Sequence, residues 1–153
     1  MAQLLITETE INQYKYLAPT INSAQRILPF CYEAQELDIR PLMGDEFYFV
    51  YQQQVLNEMI TLHNGTTYQN ISGNSIVFDG CLKVIVHYAY ARFLENQQIS
   101  VTANSVVSKE SPYSTPIDPL TIKQRVSQIR SAAWKYWIEC DNFINTYKSI
   151  DPS

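Results

Sequence analysis

Asp79, His87 and Glu95 recur at steps of eight along one apolar stretch of the chain. If that stretch is a helix, each step drifts only about 80° around the axis. Three groups able to move a proton or hold a metal would then share roughly one side. The bland alternative is a hydrogen-bonded core or interface histidine flanked by solvated carboxylates, and the missing partners favour it. No HExxH, CxxC or HxH spacing exists in the sequence, whereas zinc needs several converging ligands. The other histidine, His63, falls at a predicted helix end. Asp45 and Glu46 lie together in "LDIRPLMGDEFY" (37–48). Adjacent residues on a helix diverge by about 100°, so these two are not a catalytic pair unaided. There is no GxSxG elbow and no phosphate-loop glycine spacing. Cys81 and His87, six apart on one helix, point in different directions, so no nucleophile and base are paired. The sequence therefore predicts no catalytic, metal-binding or cofactor-binding residue, and no enzyme.

The elements that would position these residues follow from composition and periodicity. A chain of 153 residues, 46% apolar, suffices for one domain with a real core. The formal charge is −4, and the Lys and Arg residues are scattered, so the basic footprint of a nucleic-acid binder is missing. Cys31, Cys81 and Cys140 are odd in number, far apart and set in apolar helical patterns. They read as buried free thiols in a reducing compartment. The eleven tyrosines read mostly as edges of the core. Two sequons, at Asn64 and Asn70, follow no leader segment and are read as unmodified. The most apolar stretch (75–96) carries Asp79, Lys83, His87 and Arg92. A spanning helix would not carry these, so the chain reads as soluble, with no membrane partner.

The expected fold is all-α: a single domain over residues 1–153, built as a small bundle of about five helices. Thr7 and Glu10 have capping-box spacing, so a short helix should start there. A second helix is predicted from Asn22 to Asp38, with Leu37 or Asp38 closing its inward stripe; Pro29 inside it either kinks it or begins it. Arg40-Pro41 should not continue a helix. Gly44 permits a reversal, and Asp45 and Glu46 suit the start of a third helix reaching His63. The "LDIRPLMGDEFY" stretch thus reads as a helix–helix corner, with Arg40 paired to Glu36 and Glu33, Glu36 and Asp38 on a solvated face. A polar turn region (64–74) leads to a nearly all-apolar helix from about Ile76 to Asn96. Asp118 and Pro119 then start a long last helix. Its inward stripe is Ile122, Val126, Ile129, Ala133, Tyr136, Cys140, Phe143 and Tyr147.

Two features exceed the bland reading. Residues 97–117 form an extended, β-hairpin-like arm before the last helix: "ISVTANSVV" is β-branched and alternating, with a turn near Asn104-Ser105. On the last helix Trp134 and Ile138 lie about 100–140° off the inward stripe, on a face that should be wet. Extended arms and exposed aromatics serve protein–protein assembly. The bland counterparts are a mobile loop for the arm, and for the pair packing beneath the arm or against the first helix.

The order of elements, with "ILPFCYEAQELDIRPLMGDEFY" and then "HYAYARFLE", resembles the small helical head–tail connector proteins of tailed bacteriophages. These are also called adaptor, neck ring or head-completion proteins, and the resemblance is strongest to the Bacteroidetes and crAss-like phage group. It covers about Leu5 to Ile144 and rests on Ala34, Leu37, Pro41, Leu42, Gly44 and Tyr48. It implies a structural virion protein at the head–tail neck, assembled in the host cytoplasm. It implies a homo-oligomeric ring with the portal's twelvefold symmetry, contacting the portal protein and adjacent neck or tail proteins, with DNA only passing through the lumen. A mildly acidic lining is compatible with that, because a basic one would hold phosphates. By position, Ile99 to Val107 and a C-terminal tail (145–153) would contact neighbours. Together with the off-stripe pair, the candidate interface is Ile99, Val101, Val106, Val107, Trp134, Ile138 and Tyr147. The alternatives are a tail-completion protein or another small helical interaction module, and a small helical enzyme using Asp79, His87 and Glu95.

Overall fold

The structure, a computed structural model, describes residues 4–14, 27–53, 57–96, 99–101, 106–108 and 119–150. The chain is a helical bundle with an antiparallel hairpin arm before a long C-terminal helix. Helix α1 (Glu8–Tyr14) starts where the capping box puts it. The Thr7 backbone N–H donates to Glu10 Oε2 at 2.7 Å, and the Glu10 N–H returns to Thr7 Oγ1 at 3.4 Å.

Helix α2 (Leu28–Glu33) carries Pro29 in its first turn, so Pro29 starts this helix and does not kink it. The expected stop at Arg40-Pro41 is absent. The chain passes through a π-helical segment (Ala34–Ile39) into α3 (Arg40–Met43). In an α-helix the Pro41 ring would press on the carbonyl four residues back. The wider turn relieves this: the Arg40 N–H reaches the Gln35 carbonyl, five residues back. The extra residue also rotates the inward face. Gln35 and Ile39 go inside, while Leu37, expected to close the inward stripe, is 59% exposed. Gln35 is satisfied there by accepting the Leu5 backbone N–H at 2.9 Å.

Gly44, at φ +83°, then turns the chain into α4 (Asp45–Gln53). The expected third helix is found as α4 and α5 (Asn57–Asn64); Val55 lies outside the described residues. The polar turn region is a hairpin, β1 (Thr66–Gln69) against β2 (Ser75–Phe78), registered Thr66 to Phe78 and Gln69 to Ser75. The buried helix therefore starts later than expected, as α6 (Cys81–Glu95). Gly65 and Gly80 cross at the hairpin's base. A Cβ on Gly65 would lie 2.2 Å from the Phe78 carbonyl oxygen, and one on Gly80 2.2 Å from that of His63.

The arm follows as β3 (Ile99–Val101) paired antiparallel with β4 (Val106–Ser108). The last element is α7 (Pro119–Ile150), 32 residues long. It runs through the stretch expected as a tail from Asn145. Helix α6 is buried nearly all round and packs chiefly along α7. The inward stripe of α7 is Val126, Ile129, Ala133, Trp137, Cys140 and Phe143; Trp137 takes the place expected of Tyr136. All three cysteines are free and buried, and burial pushes the Cys31 thiol up to about 12. Among the described residues no helix is long and apolar enough to cross a membrane.

Candidate functional site

The structure separates the residues that could have formed a reaction centre. Asp79 bonds Lys83 Nζ at 2.9 Å just before α6 begins. Burial lowers the Lys83 pKa, but the bond to Asp79 and that carboxylate's field outweigh it, leaving a net rise. His87, a turn further on, shares a 2.7 Å hydrogen bond with the Lys83 carbonyl and meets the Tyr136 ring edge-on at 4.8 Å. Glu95 ends the helix beside Arg130, at 3.3 Å. At about 1.5 Å of rise per residue the trio is strung along the helix and converges on nothing. Among the described residues no group of three or more His, Cys, Asp or Glu side chains could hold a metal ion.

His63 is buried at the end of α5, with Nδ1 2.5 Å from the Tyr51 hydroxyl. Burial holds the Tyr51 pKa well above its ordinary value, so the phenol keeps its proton and donates. Burial lowers the His63 pKa, against the field of Glu10 and a hydrogen bond to the Leu5 backbone. Both side chains of the pair are buried in the core.

Asp38, expected on a solvated face, joins three elements. It takes a forked bond from Arg92 of α6, at 2.8 and 3.1 Å, and a longer one from Arg130 of α7, at 3.5 Å. The Arg40–Glu36 pair expected at the corner is present. Arg40 Nη1 bonds Glu36 at 2.9 Å, and Arg40 Nε bonds Asp45 at 2.8 Å, clasping the turn from both sides. The Tyr48 hydroxyl adds a 3.2 Å bond to Glu36. A cleft of about 530 Å³ opens beside this clasp, with Phe49 62% exposed at its edge.

The candidate interface residues fall in two places. Ile99, Val101, Val106 and Val107 belong to the arm, where Val101 is registered against Val106 and Val107 against Ser100. The expected turn at Asn104-Ser105 lies outside the described residues. Trp134, Ile138 and Tyr147 belong to α7. Trp134 is 50% and Ile138 43% exposed, one turn apart on the outer face. Leu120 continues that line toward the helix start and is also exposed; it was missed because no periodic partner lies close to it in sequence. The β1–β2 hairpin adds exposed Ile71 and Val77. Its opposite face is held by α7, where Phe143 stacks on Phe78 at 4.7 Å and meets Tyr68 edge-on at 5.1 Å.

The model of a family of unknown function, DUF6712, matches residues 39–151. That span takes in all but the first two residues of the corner, the β1–β2 hairpin, α6, the arm and α7, and leaves out α1 and α2. No curated protein and no solved structure matches the chain. With well over half of its length matched, the chain belongs to the DUF6712 family.

Proposed function

We propose that this chain is a non-enzymatic structural protein that assembles as a ring at the head–tail neck of a tailed bacteriophage, between the portal and the tail. The observation that carries the reading is the pairing of a hairpin arm with a 32-residue closing helix whose outer face exposes Trp134 and Ile138. Large apolar groups aligned on a solvent face of the helix that follows an extended arm in the chain suit contacts with neighbouring subunits. The order of elements, which resembles the phage connectors, supplies the location, the twelvefold symmetry, the portal as partner, and DNA as passing cargo. The net charge of −4 agrees with a lumen that lets DNA slide.

The test is negative-stain microscopy of the purified chain, alone and with a portal protein encoded in the same genome, together with co-purification of the two. Rings and a stable portal complex are expected. A chain that stays monomeric and ignores the portal sinks the reading. Deleting residues 101–106 should cost assembly while leaving the helical signal and melting midpoint in place; unimpaired assembly would remove the arm from the interface.

A further inference from the structure

The three cysteines are far apart in the sequence, yet two of them meet in the core. Contacts along α6 and α7 fix how these helices lie. Phe78, just before α6, stacks on Phe143. Lys83 Nζ lies 3.9 Å from the centre of the Tyr136 ring, and His87 meets the same ring edge-on. Glu95 pairs with Arg130. Residue numbers rise along α6 as their partners' numbers fall along α7, so the helices run antiparallel in one register. Cys81 stands between Phe78 and Lys83 on one side, and Cys140 between Tyr136 and Phe143 on the other. That register sets the two thiols opposite each other, and they share a hydrogen bond. Both are 0% exposed. The third cysteine, Cys31, belongs to α2.

A buried thiol can serve as a small apolar group and nothing more. Two thiols already in contact need only a short approach of the sulfurs to bond. We propose that Cys81 and Cys140 are a redox-responsive pair, converted by a low-molecular-weight disulfide into an intrachain disulfide that ties the start of α6 to α7. One thiolate attacks the small disulfide and releases one small thiol, leaving a mixed disulfide on the chain. The second protein thiolate attacks the protein sulfur of that adduct and releases the other small thiol. One S–S bond forms in the chain and one breaks in the reagent. The two electrons and the two thiol protons end on the two small thiols.

Burial, and then the bond to Cys140, hold the Cys81 thiol well above its ordinary pKa. The pair therefore stays protonated and slow to react while the core is closed, and exchange proceeds from local openings. Once formed, the bond closes the loop of residues 81–140. Cys81 follows Gly80 at the hairpin base, and Phe143 of α7 covers the hairpin. The link would thus fasten the hairpin base to α7 covalently. Reducing surroundings keep the thiols free, and oxidising ones set the link. The inference stands on the two helices alone and does not depend on the ring reading.

The experiment incubates the reduced chain at about pH 8 with oxidised glutathione, without urea and in urea just below the unfolding transition. Remaining thiols are then alkylated under denaturing conditions, and the intact mass and peptide map are read. The expected product has lost two hydrogens, carries a Cys81–Cys140 bridge and takes up alkyl only on Cys31. Its melting midpoint should rise by at least about 5 °C and return on reduction, because the bridge restricts the unfolded chain. Cys31→Ala should keep both the bridge and the rise, and Cys140→Ala should lose both. Bridges to Cys31 or between chains, or glutathione adducts with no Cys81–Cys140 bridge in either condition, overturn the inference. A bridge that leaves the midpoint unchanged or lowers it overturns the fastening of α6 to α7.

Discussion

The corner at Gly44 and the hairpin base at Gly65 and Gly80 are both reversals built on glycine at positive φ, yet they are held in opposite ways. Around Gly44 nothing lies within 4 Å of where a Cβ would be. Side chains hold that joint: the partly exposed Arg40 clasped to Glu36 and Asp45, and the hydroxyl of the buried Tyr48 on Glu36. At the hairpin base the backbone itself is the contact, with carbonyl oxygens 2.2 Å from each imagined Cβ. The residues around it are buried, including Leu62, His63, Phe78 and Cys81. A joint made by side chains in water can lose one and reform around the gap. A joint made by two backbones in contact has no slack.

The largest effect should therefore come from Gly65→Ala or Gly80→Ala. Each adds the strain of an L-residue at positive φ to a collision with backbone that cannot rotate away. A loss of more than about 3 kcal/mol is expected from equilibrium urea unfolding, because the strands must part to admit the methyl group. Gly44→Ala meets open space and carries the φ penalty alone, about 1 kcal/mol. Equal losses at the two joints would show that φ strain, not backbone contact, sets the cost.

A second way to sharpen the contrast is pH. His63, beside the hairpin base, has its pKa lowered by burial. The unfolded chain takes up a proton near the ordinary value of about 6.5, while the folded chain resists it. Stability is thus fully present above about pH 6.5 and falls as pH drops toward the lower folded value. The urea midpoint of the wild type should fall more between about pH 7 and pH 5 than that of His63→Gln, which does not titrate there. Parallel slopes would mean that His63 is reached by water in the folded state. The corner, clasped by an arginine that stays charged throughout, has no corresponding histidine.

Much of the corner was legible in the sequence and little of the hairpin base was, and the reason is range. The capping box at Thr7 and Glu10, the Arg40–Glu36 bridge and Gly44 act within five residues, so spacing alone exposes them. The start of α7 at Pro119 and the outward placement of Trp134 and Ile138 are equally local, following from helical period. What the sequence did not reveal lies between distant partners. Phe78 and Tyr68 form a strand face only because Phe143 covers them. Asp38 leaves the solvent because Arg92, 54 residues on, forks onto it. The π-helical turn is a third case. Proline normally ends a helix, and nothing near Pro41 indicates that a widened turn will carry the helix past it and turn Leu37 outward. The exposed pair Trp134 and Ile138 could be named from periodicity, whereas Leu120, isolated in sequence, could not.

The smallest effect on the folded monomer should come from Arg40→Ala. The guanidinium is held protonated by its bonds to Asp45 and then Glu36, but it sits in water with both partners partly exposed. Surface pairs of this kind gain little, because solvent competes for every donor and the long side chain must be held still. At low ionic strength the variant should unfold at a slightly lower urea concentration than the wild type. Raising salt to about 1 M shrinks the Debye length to about 3 Å and should remove most of that difference. The Gly44→Ala penalty, being steric, should persist unchanged in the same salt series. The two substitutions lie four residues apart in one corner, so the series separates what charge contributes there from what the backbone requires. If Arg40→Ala proved as damaging as Gly65→Ala, the corner would have to be a rigid joint like the hairpin base.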